Sequence, residues 1–119
     1  MGFITDLVVT LVDDDKNLWK LASELIYIDN DNDYHTVPTG FVCDFASVPP
    51  FPLTQYLFKT ADTHRPAVLH DYYCVERTIP QKEADHLFYE ALLNEGVNKL
   101  KAKLMWSAVR MYSKIKGKD

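Results

Sequence analysis

The sequence predicts an α+β fold in which a small N-terminal antiparallel β-sheet packs against three C-terminal α-helices. Residues 1–48 contain short β-branched runs separated by Asn/Asp and Gly turns, whereas residues 66–119 carry apolar residues at helical spacing. Prolines at 49–52 block both a helix and an interior strand, so they mark the boundary between the halves. A chain of 119 residues that is 47% hydrophobic suits one folded core. We therefore expect a single domain, with a joint at 49–65 that includes a short amphipathic stretch.

Three extended segments are predicted in the N-terminal half. Thr5–Val12 is apolar and β-branched and stops at an acidic triplet, and 34–42 has an extended pattern. The Asp/Asn run at 29–33 favours a turn, so 18–28 and 34–42 predict a hairpin, although helical apolar spacing leaves a helix as the alternative for 18–28. The run lacks the glycine and glutamate of a calcium loop, so calcium binding is not expected there.

Three helices are predicted in the C-terminal half. The first begins near Pro66, in the first helical position, and extends to about Val75. The second is indicated by a capping box at Thr78–Gln81 and ends at Gly96. The third covers about 98–116, and one of its faces is expected to pack on the core, namely Leu100, Leu104, Met105, Ala108, Val109, Tyr112 and Ile115.

The net charge of −4 is unevenly distributed along the chain. Residues 1–62 carry −7 and residues 63–95 carry −3, whereas residues 96–119 carry +6. A basic end on an acidic body predicts contact with an anionic surface or another chain, and the alternative is a solvated face that only aids solubility. Specific nucleic-acid binding is not expected, because the whole domain is acidic. The basic residues proposed for the contact are Lys99, Lys101, Lys103, Arg110 and Lys114.

The expected location is the cytoplasm. No run approaches the roughly 18 uncharged apolar residues of a transmembrane segment, and the N-terminus lacks the basic flank of a signal peptide. Cys43 and Cys74 are too few for a disulfide framework and do not have zinc-site spacing, which indicates a reducing compartment.

The most informative polar residues lie on the first two predicted helices. If these helices form an antiparallel hairpin that turns near residue 78, His70 and Asp85 lie at the same level. A carboxylate facing an imidazole fixes its tautomer and raises its basicity, so His70 and Asp85 are the candidate catalytic residues. Asp71 lies about 100° away from His70 on the same helix and is a candidate to bind a cation or a backbone amide near the same cleft. The alternative is an ordinary buried His–Asp hydrogen bond that joins two helices.

Asp44 and Ser47 are candidate substrate-binding or structural polar residues, because they stand in an otherwise apolar segment. Asp44 either caps the turn at Ser47 or joins His70 and Asp71. Asp71 and Asp44 are the candidate ligands of a divalent cation, calcium or zinc. Ser47 lacks the flanking glycines of a nucleophile elbow, and a Cys–His nucleophilic pair is a further alternative.

Several motifs together carry a resemblance to a known family. The motifs are Val37–Phe41, Asp44–Pro49, Ala67–Tyr72, Glu83–Asp85 with Phe88 and Ala91, and Met105 with Ala108–Arg110. They resemble a family of small domains of unknown function that is widespread in tailed bacteriophages and prophages. The resemblance covers nearly the whole chain. It implies a phage protein in the cytoplasm of the infected host or associated with the virion, and it implies no activity. Cys43 stands where the family pattern usually has threonine.

The helix pair alone is similar to secretory and parvoviral phospholipases. The resemblance implies that His70 activates a water, that Asp71 binds calcium and that Asp85 orients His70. Two functions follow as hypotheses. The first is a small phage-encoded, metal-assisted hydrolase. The second is a non-enzymatic phage protein, either a virion or tail-assembly component or an inhibitor of a host protein, in which the same polar cluster is structural.

Overall fold

The computed structural model describes residues 2–16, 18–44 and 61–115 and has the predicted α+β fold. The N-terminal half forms two three-stranded antiparallel sheets, where one sheet was expected. The first sheet has the order β1 (Gly2–Phe3), β4 (Leu25–Ile28), β5 (Tyr34–Val37). The second has the order β2 (Val9–Asp13), β3 (Leu18–Leu21), β6 (Val42–Asp44).

The segment predicted as one strand over 18–28 is two strands that belong to different sheets. The N–H of Leu21 donates to the Phe41 carbonyl at 2.9 Å, which keeps the end of β3 in the second sheet. The N–H of Ile26 donates to Oγ1 of Thr5 at 2.9 Å, which holds β4 beside the N-terminal segment. The predicted hairpin around the Asp/Asn turn is confirmed, because β4 pairs with β5.

The segment predicted as extended over 34–42 is interrupted in its middle. Pro38 follows β5 and has no N–H to give to a ladder. Gly40 has a φ of 93°, a conformation that L side chains rarely adopt, and it turns the chain before β6. The first predicted strand is also shorter, because its ladder begins four residues later than expected.

The described part of the C-terminal half contains three helices, α1 (His64–Glu76), α2 (Gln81–Asn94) and α3 (Lys99–Ile115), with a single 3₁₀ turn before α1. Pro66 is the third residue of α1 and not the first. It is tolerated there because first-turn N–H groups have no helical partners. No side chain caps the start of α2, which follows Pro80, so the capping box predicted from Thr78 was wrong. Residues 49–60 of the predicted joint, which contain the prolines and the amphipathic stretch, lie outside the described residues.

Two buried clusters place α2 at the centre of the described fold. The first cluster joins both sheets to α1 and α2 and contains Leu21, Leu25, Tyr27, Val37, Cys43, Val68, Leu69, Leu87 and Ala91. The second joins α2 to α3 and contains Phe88, Leu92, Val97, Ala102, Met105 and Val109. Side chains on two adjacent faces of α2, about 100° apart, therefore contribute to the two clusters.

The buried face of α3 agrees with the predicted one only in part, because Met105 and Val109 were predicted and Ala102 was not. Ala102, Met105 and Val109 are buried, whereas Leu100 and Ile115 are 71% and 68% exposed. Apolar residues occur on two faces of this helix, so spacing alone did not decide which face packs on α2. None of the described helices combines the length and the apolar character needed to cross a bilayer.

A candidate functional site at the junction of the three helices

Asp85 is the centre of a polar cluster to which all three helices contribute. Its carboxylate is 0% exposed. Oδ1 accepts hydrogen bonds from Nε2 of His70 at 2.6 Å and from Nε2 of Gln81 at 2.9 Å, and Oδ2 accepts one from Nη1 of Arg110 at 2.8 Å. The predicted contact between His70 and Asp85 is confirmed, whereas a catalytic role for the two residues stays a prediction.

The turn between α1 and α2 sets the register of this cluster. Arg77 ends α1 in the left-handed conformation, with a φ of 56°, and its N–H donates to the Tyr73 carbonyl at 2.9 Å. Pro80 then precedes the first residue of α2, so the two helices are joined by only four residues. Such a short connection makes them antiparallel neighbours, which brings His70 opposite Asp85.

The cluster holds charge at neutral pH. Burial opposes a charge on His70, but the hydrogen bond to Asp85 and the adjacent Cys74 raise the pKa of His70 to about 9. Burial also opposes a charge on Asp85, yet the donors around it, first His70, hold the pKa of this carboxyl below its ordinary value. An imidazolium does not accept a proton, so His70 would first have to lose its proton in order to act as a general base.

Cys74 lies one helical turn after His70. Its Sγ is 3.8 Å from Nδ1 and 3.7 Å from Nε2 of His70, and Nε2 of Gln81 donates to it at 3.2 Å. Burial would raise the pKa of the thiol, but His70 lowers it below its ordinary value. Because Sγ is almost equally far from both imidazole nitrogens, it lies off the direction of either N–H. The two residues are therefore in contact without the aligned hydrogen bond of a nucleophile–base pair.

The remaining predicted site residues are only partly described. The backbone of Asp44 pairs with Leu18 at the end of β6, but its side chain lies outside the described part of the chain, as does Ser47. Asp71 is partly buried on α1. The described residues contain no group of three His, Cys, Asp or Glu side chains that could hold a metal ion. The calcium or zinc site at Asp71 and Asp44 stays a prediction.

A second polar chain, which the sequence did not predict, connects the β4–β5 hairpin to α1. Nε2 of His35 lies 2.7 Å from Oδ2 of Asp29, and its Nδ1 lies 2.7 Å from Oη of Tyr73. Burial opposes a charge on Asp29, but His35 and two backbone N–H groups of the turn hold its pKa below the ordinary value. The sequence signal for a buried His35 was the two-residue periodicity of a strand, which places His35 on the same face as the buried Val37.

The Asp85 cluster borders an open cleft of about 880 Å³ between the α1–α2 turn and α3. Gln81 and Arg110, two of the donors to Asp85, line this cleft, and so does Trp106. The described lining includes four cationic side chains and no acidic one. The four are Arg77, Lys82, Arg110 and Lys114.

The fold and the site define an α+β domain in which one buried carboxylate joins three helices beside a basic cleft. A family model described as "Protein of unknown function (DUF1353)" matches residues 19–109. The chain belongs to this family. The match extends from β3 into α3 and includes His70, Gln81 and Asp85, whereas Arg110 follows its last residue.

A curated relative, the "Uncharacterized protein y4iH" of Sinorhizobium fredii (strain NBRC 101917 / NGR234), is 39% identical over 67 residues. These residues are 56% of this chain and 28% of the relative, so the matched part is less than a third of that protein. No solved structure matches the chain. The family is therefore established, and the phage context stays a prediction.

Proposed function

We propose that the protein is a non-enzymatic binding domain in which the Asp85 cluster is structural. The observation that carries this proposal is the complete burial of Asp85, with both carboxylate oxygens accepting hydrogen bonds from three side chains. The cluster ties α1, α2 and α3 at one point. Removing one partner would leave an uncompensated buried charge, so the cluster favours a single arrangement of the helices.

The proposed binding surface is an exposed apolar seam on α3, formed by Leu104, Ala108, Met111 and Ile115. Their spacing of four, three and four residues is that of a heptad seam. At 100° per residue they lie within an arc of about 60°. Leu104, Met111 and Ile115 are exposed. A seam this narrow fits one partner helix better than a bilayer surface, which takes a broader apolar face.

The charge of α3 selects the partner. The helix carries five basic residues and no acidic one between Lys99 and Ile115. A second copy of this chain would bring like charges together along the seam, which is unfavourable. We therefore infer that the partner is an acidic amphipathic helix. The predicted phage context makes a virion or tail-assembly component, or an inhibited host protein, the proposed source of that helix.

A three-heptad synthetic peptide tests the seam. One version carries leucine at the seam positions and glutamate beside them, and its control carries lysine in place of glutamate. Fluorescence anisotropy should show binding of the acidic peptide only. Met111→Glu should weaken this binding by about tenfold or more, because a charge enters the apolar contact. Val75→Glu, at an exposed apolar position of α1, is the matched control. Equal binding of both peptides, or no effect of Met111→Glu, contradicts the proposal.

The metal-assisted hydrolase is the second candidate function, and the 2.6 Å hydrogen bond between His70 and Asp85 favours it. It predicts hydrolysis of phospholipids or simple esters with calcium or zinc, abolished by His70→Gln or Asp71→Asn. The structural proposal predicts no His70-dependent turnover with either metal and a lower unfolding midpoint for His70→Gln. Turnover lost in His70→Gln and kept in His86→Gln, at an exposed histidine of α2, would replace the structural proposal.

A further inference from the structure

The basic cleft beside the Asp85 cluster is separate from the α3 seam and supports a different kind of ligand. We propose that it binds a small phosphate ester or diphosphate, whose negative groups contact Arg77, Lys82, Arg110 and Lys114. This site goes beyond the proposed protein-binding function, because its ligand is a small molecule.

The first argument is charge. The four cations come from separate parts of the fold, since Arg77 is in the α1–α2 turn, Lys82 is in the first turn of α2 and the other two are on α3. Like charges gathered around one cleft repel each other, and an anion relieves that repulsion. Asp85 is bound by Arg110 and His70, and the described lining adds no acidic side chain to it. A ligand with more than one negative charge therefore suits the cleft.

The second argument is the positioning of the donors. Arg110 donates from Nη1 to Asp85, and Gln81 donates to the same carboxylate, so two cleft side chains are oriented from the protein side. A guanidinium held in one plane matches the oxygens of a phosphate group, and little ordering remains to be done when the ligand binds. The first turn of α2, which no described side chain caps, adds favourable dipoles beside the cleft.

The third argument is Trp106, which lies one helical turn before Arg110 and also lines the cleft. Its Nε1 is buried and has no hydrogen-bond partner among the described residues. The indole, packed 6.0 Å from the Tyr89 ring, also gives the cleft an apolar wall.

The size of the cleft limits the ligand. Its volume of about 880 Å³ falls within the range of small-molecule sites, roughly 300–1,000 Å³, and exceeds what one inorganic phosphate fills. Arg77 adds a further indication. Its φ of 56° has a conformational cost for a non-glycine residue, and at this position its side chain lines the cleft. Charge, apolar wall and volume together favour an organic phosphate or a diphosphate.

The test uses pyrophosphate and phenyl phosphate as probes, with inorganic phosphate for comparison. Isothermal titration calorimetry measures affinity. Tryptophan fluorescence of Trp19→Phe reports on the cleft, because the chain has two tryptophans and Trp106 is then the remaining one. Both probes should bind more tightly than inorganic phosphate. Lys82→Ala and Arg77→Asn should each weaken binding by about tenfold or more, and asparagine tolerates the backbone conformation at position 77.

Lys101→Ala is the matched control, since Lys101 lies about 180° around α3 from Arg110. It should change probe affinity by less than twofold. An equal loss in Lys101→Ala would show non-specific attraction, and no millimolar binding, or binding that survives Lys82→Ala, would overturn the site. Thermal unfolding of each variant checks that it is folded.

The α3 seam and the basic cleft can be tested independently of each other. Met111→Glu should leave pyrophosphate binding intact, and Lys82→Ala, on α2, should leave the acidic peptide bound. Loss of peptide binding in Lys82→Ala would assign the cleft to the protein partner and overturn the small-molecule ligand.

Discussion

Nη1 of Arg110 donates a 2.8 Å hydrogen bond to Oδ2 of Asp85 at a point where the carboxylate has no exposure to solvent. Since Asp85 is on α2 and Arg110 is on α3, this bond holds the last helix by charge in addition to the apolar contacts between the two helices. His70 makes the equivalent bond from α1. The orientation of both outer helices therefore depends on one carboxylate.

Arg110→Met should lower the free energy of unfolding by about 3–5 kcal/mol, which is the range for removing one partner of a buried ion pair. The methionine keeps much of the apolar stem, so the loss is mainly that of the charge opposite Asp85. Urea unfolding followed by circular dichroism gives the free energy. Lys103→Met, at an exposed position of the same helix, should change it by less than about 0.5 kcal/mol. An unchanged midpoint for Arg110→Met would contradict the structural role of the pair.

The cluster also predicts how stability depends on pH. The pKa of His70 is raised from 6.5 to about 9, so its contribution is complete below about pH 6.5 and is lost as the pH rises through 9. The pKa of Asp85 is lowered from 3.8, so its contribution is complete above that value and is lost on acidification through the lowered pKa. We expect the free energy of unfolding to be highest between these limits and to fall by roughly 2–3 kcal/mol toward pH 9.

Urea midpoints measured from pH 4 upward would test this profile. The thiol of Cys74, whose pKa is lowered, contributes in the opposite direction at alkaline pH. The profile is therefore measured with and without Cys74→Ala, which should also shift the decline to lower pH because Cys74 helps to raise the pKa of His70. Asp85 and Arg110 are the other charged groups bonded within the cluster. Adding His70→Gln should remove the alkaline decline, and a decline of the same size in that variant would assign it to other groups.

The Asp29–His35–Tyr73 chain should contribute to stability independently of Asp85. Tyr73→Phe removes one hydrogen bond and should cost about 1 kcal/mol. His35→Ala also takes a partner from the buried Asp29 and should cost about 2 kcal/mol. Tyr34→Phe, at an exposed tyrosine of β5, should be neutral in the same thermal unfolding experiment. If Tyr34→Phe lowers the stability as much as Tyr73→Phe does, the loss in Tyr73→Phe does not come from the hydrogen bond to His35.

Gly96 should be intolerant of alanine. It follows α2 with a φ of 91°, and a Cβ there would meet no heavy atom within 4 Å, so the cost of a side chain is purely conformational. Gly96→Ala should lower the free energy of unfolding by about 1–2 kcal/mol. Ser107→Ala, exposed on α3, is the control. Stability equal to that of the parent protein would show that the chain relaxes into another turn.

The contact between His70 and Asp85 could be predicted from the sequence, because it depends only on two neighbouring helices and the turn that joins them. Two helical segments and a short turn between them set the register, and helical geometry then places the side chains. The hairpin of β4 and β5 was predictable for the same reason, since its Asp/Asn turn lies between two extended runs.

Long-range choices were not predictable in the same way. Arg110 was assigned to a basic surface, because nothing near it in the sequence shows that it reaches Asp85 on another helix. The separation of β3 from β4 depends on hydrogen bonds from Leu21 to Phe41 and from Ile26 to Thr5, which join distant segments. The buried face of α3 depends on its packing against α2, where Ala102, Met105 and Val109 join Phe88 and Leu92 in one cluster.

The division of β3 and β4 between two sheets also has a consequence for folding kinetics. β4 and β5 are joined by a short turn, whereas β3 pairs with β6, where Leu18 lies opposite Asp44. Closing the longer loop costs more chain entropy, so the first pairing should form early and the second late. Ile28→Val should then slow folding, and Val42→Ala, in β6, should mainly speed unfolding in stopped-flow chevron measurements. Since β3 also pairs with β2 across a short connection, the step that completes the second sheet would be the addition of β6 to the free side of β3.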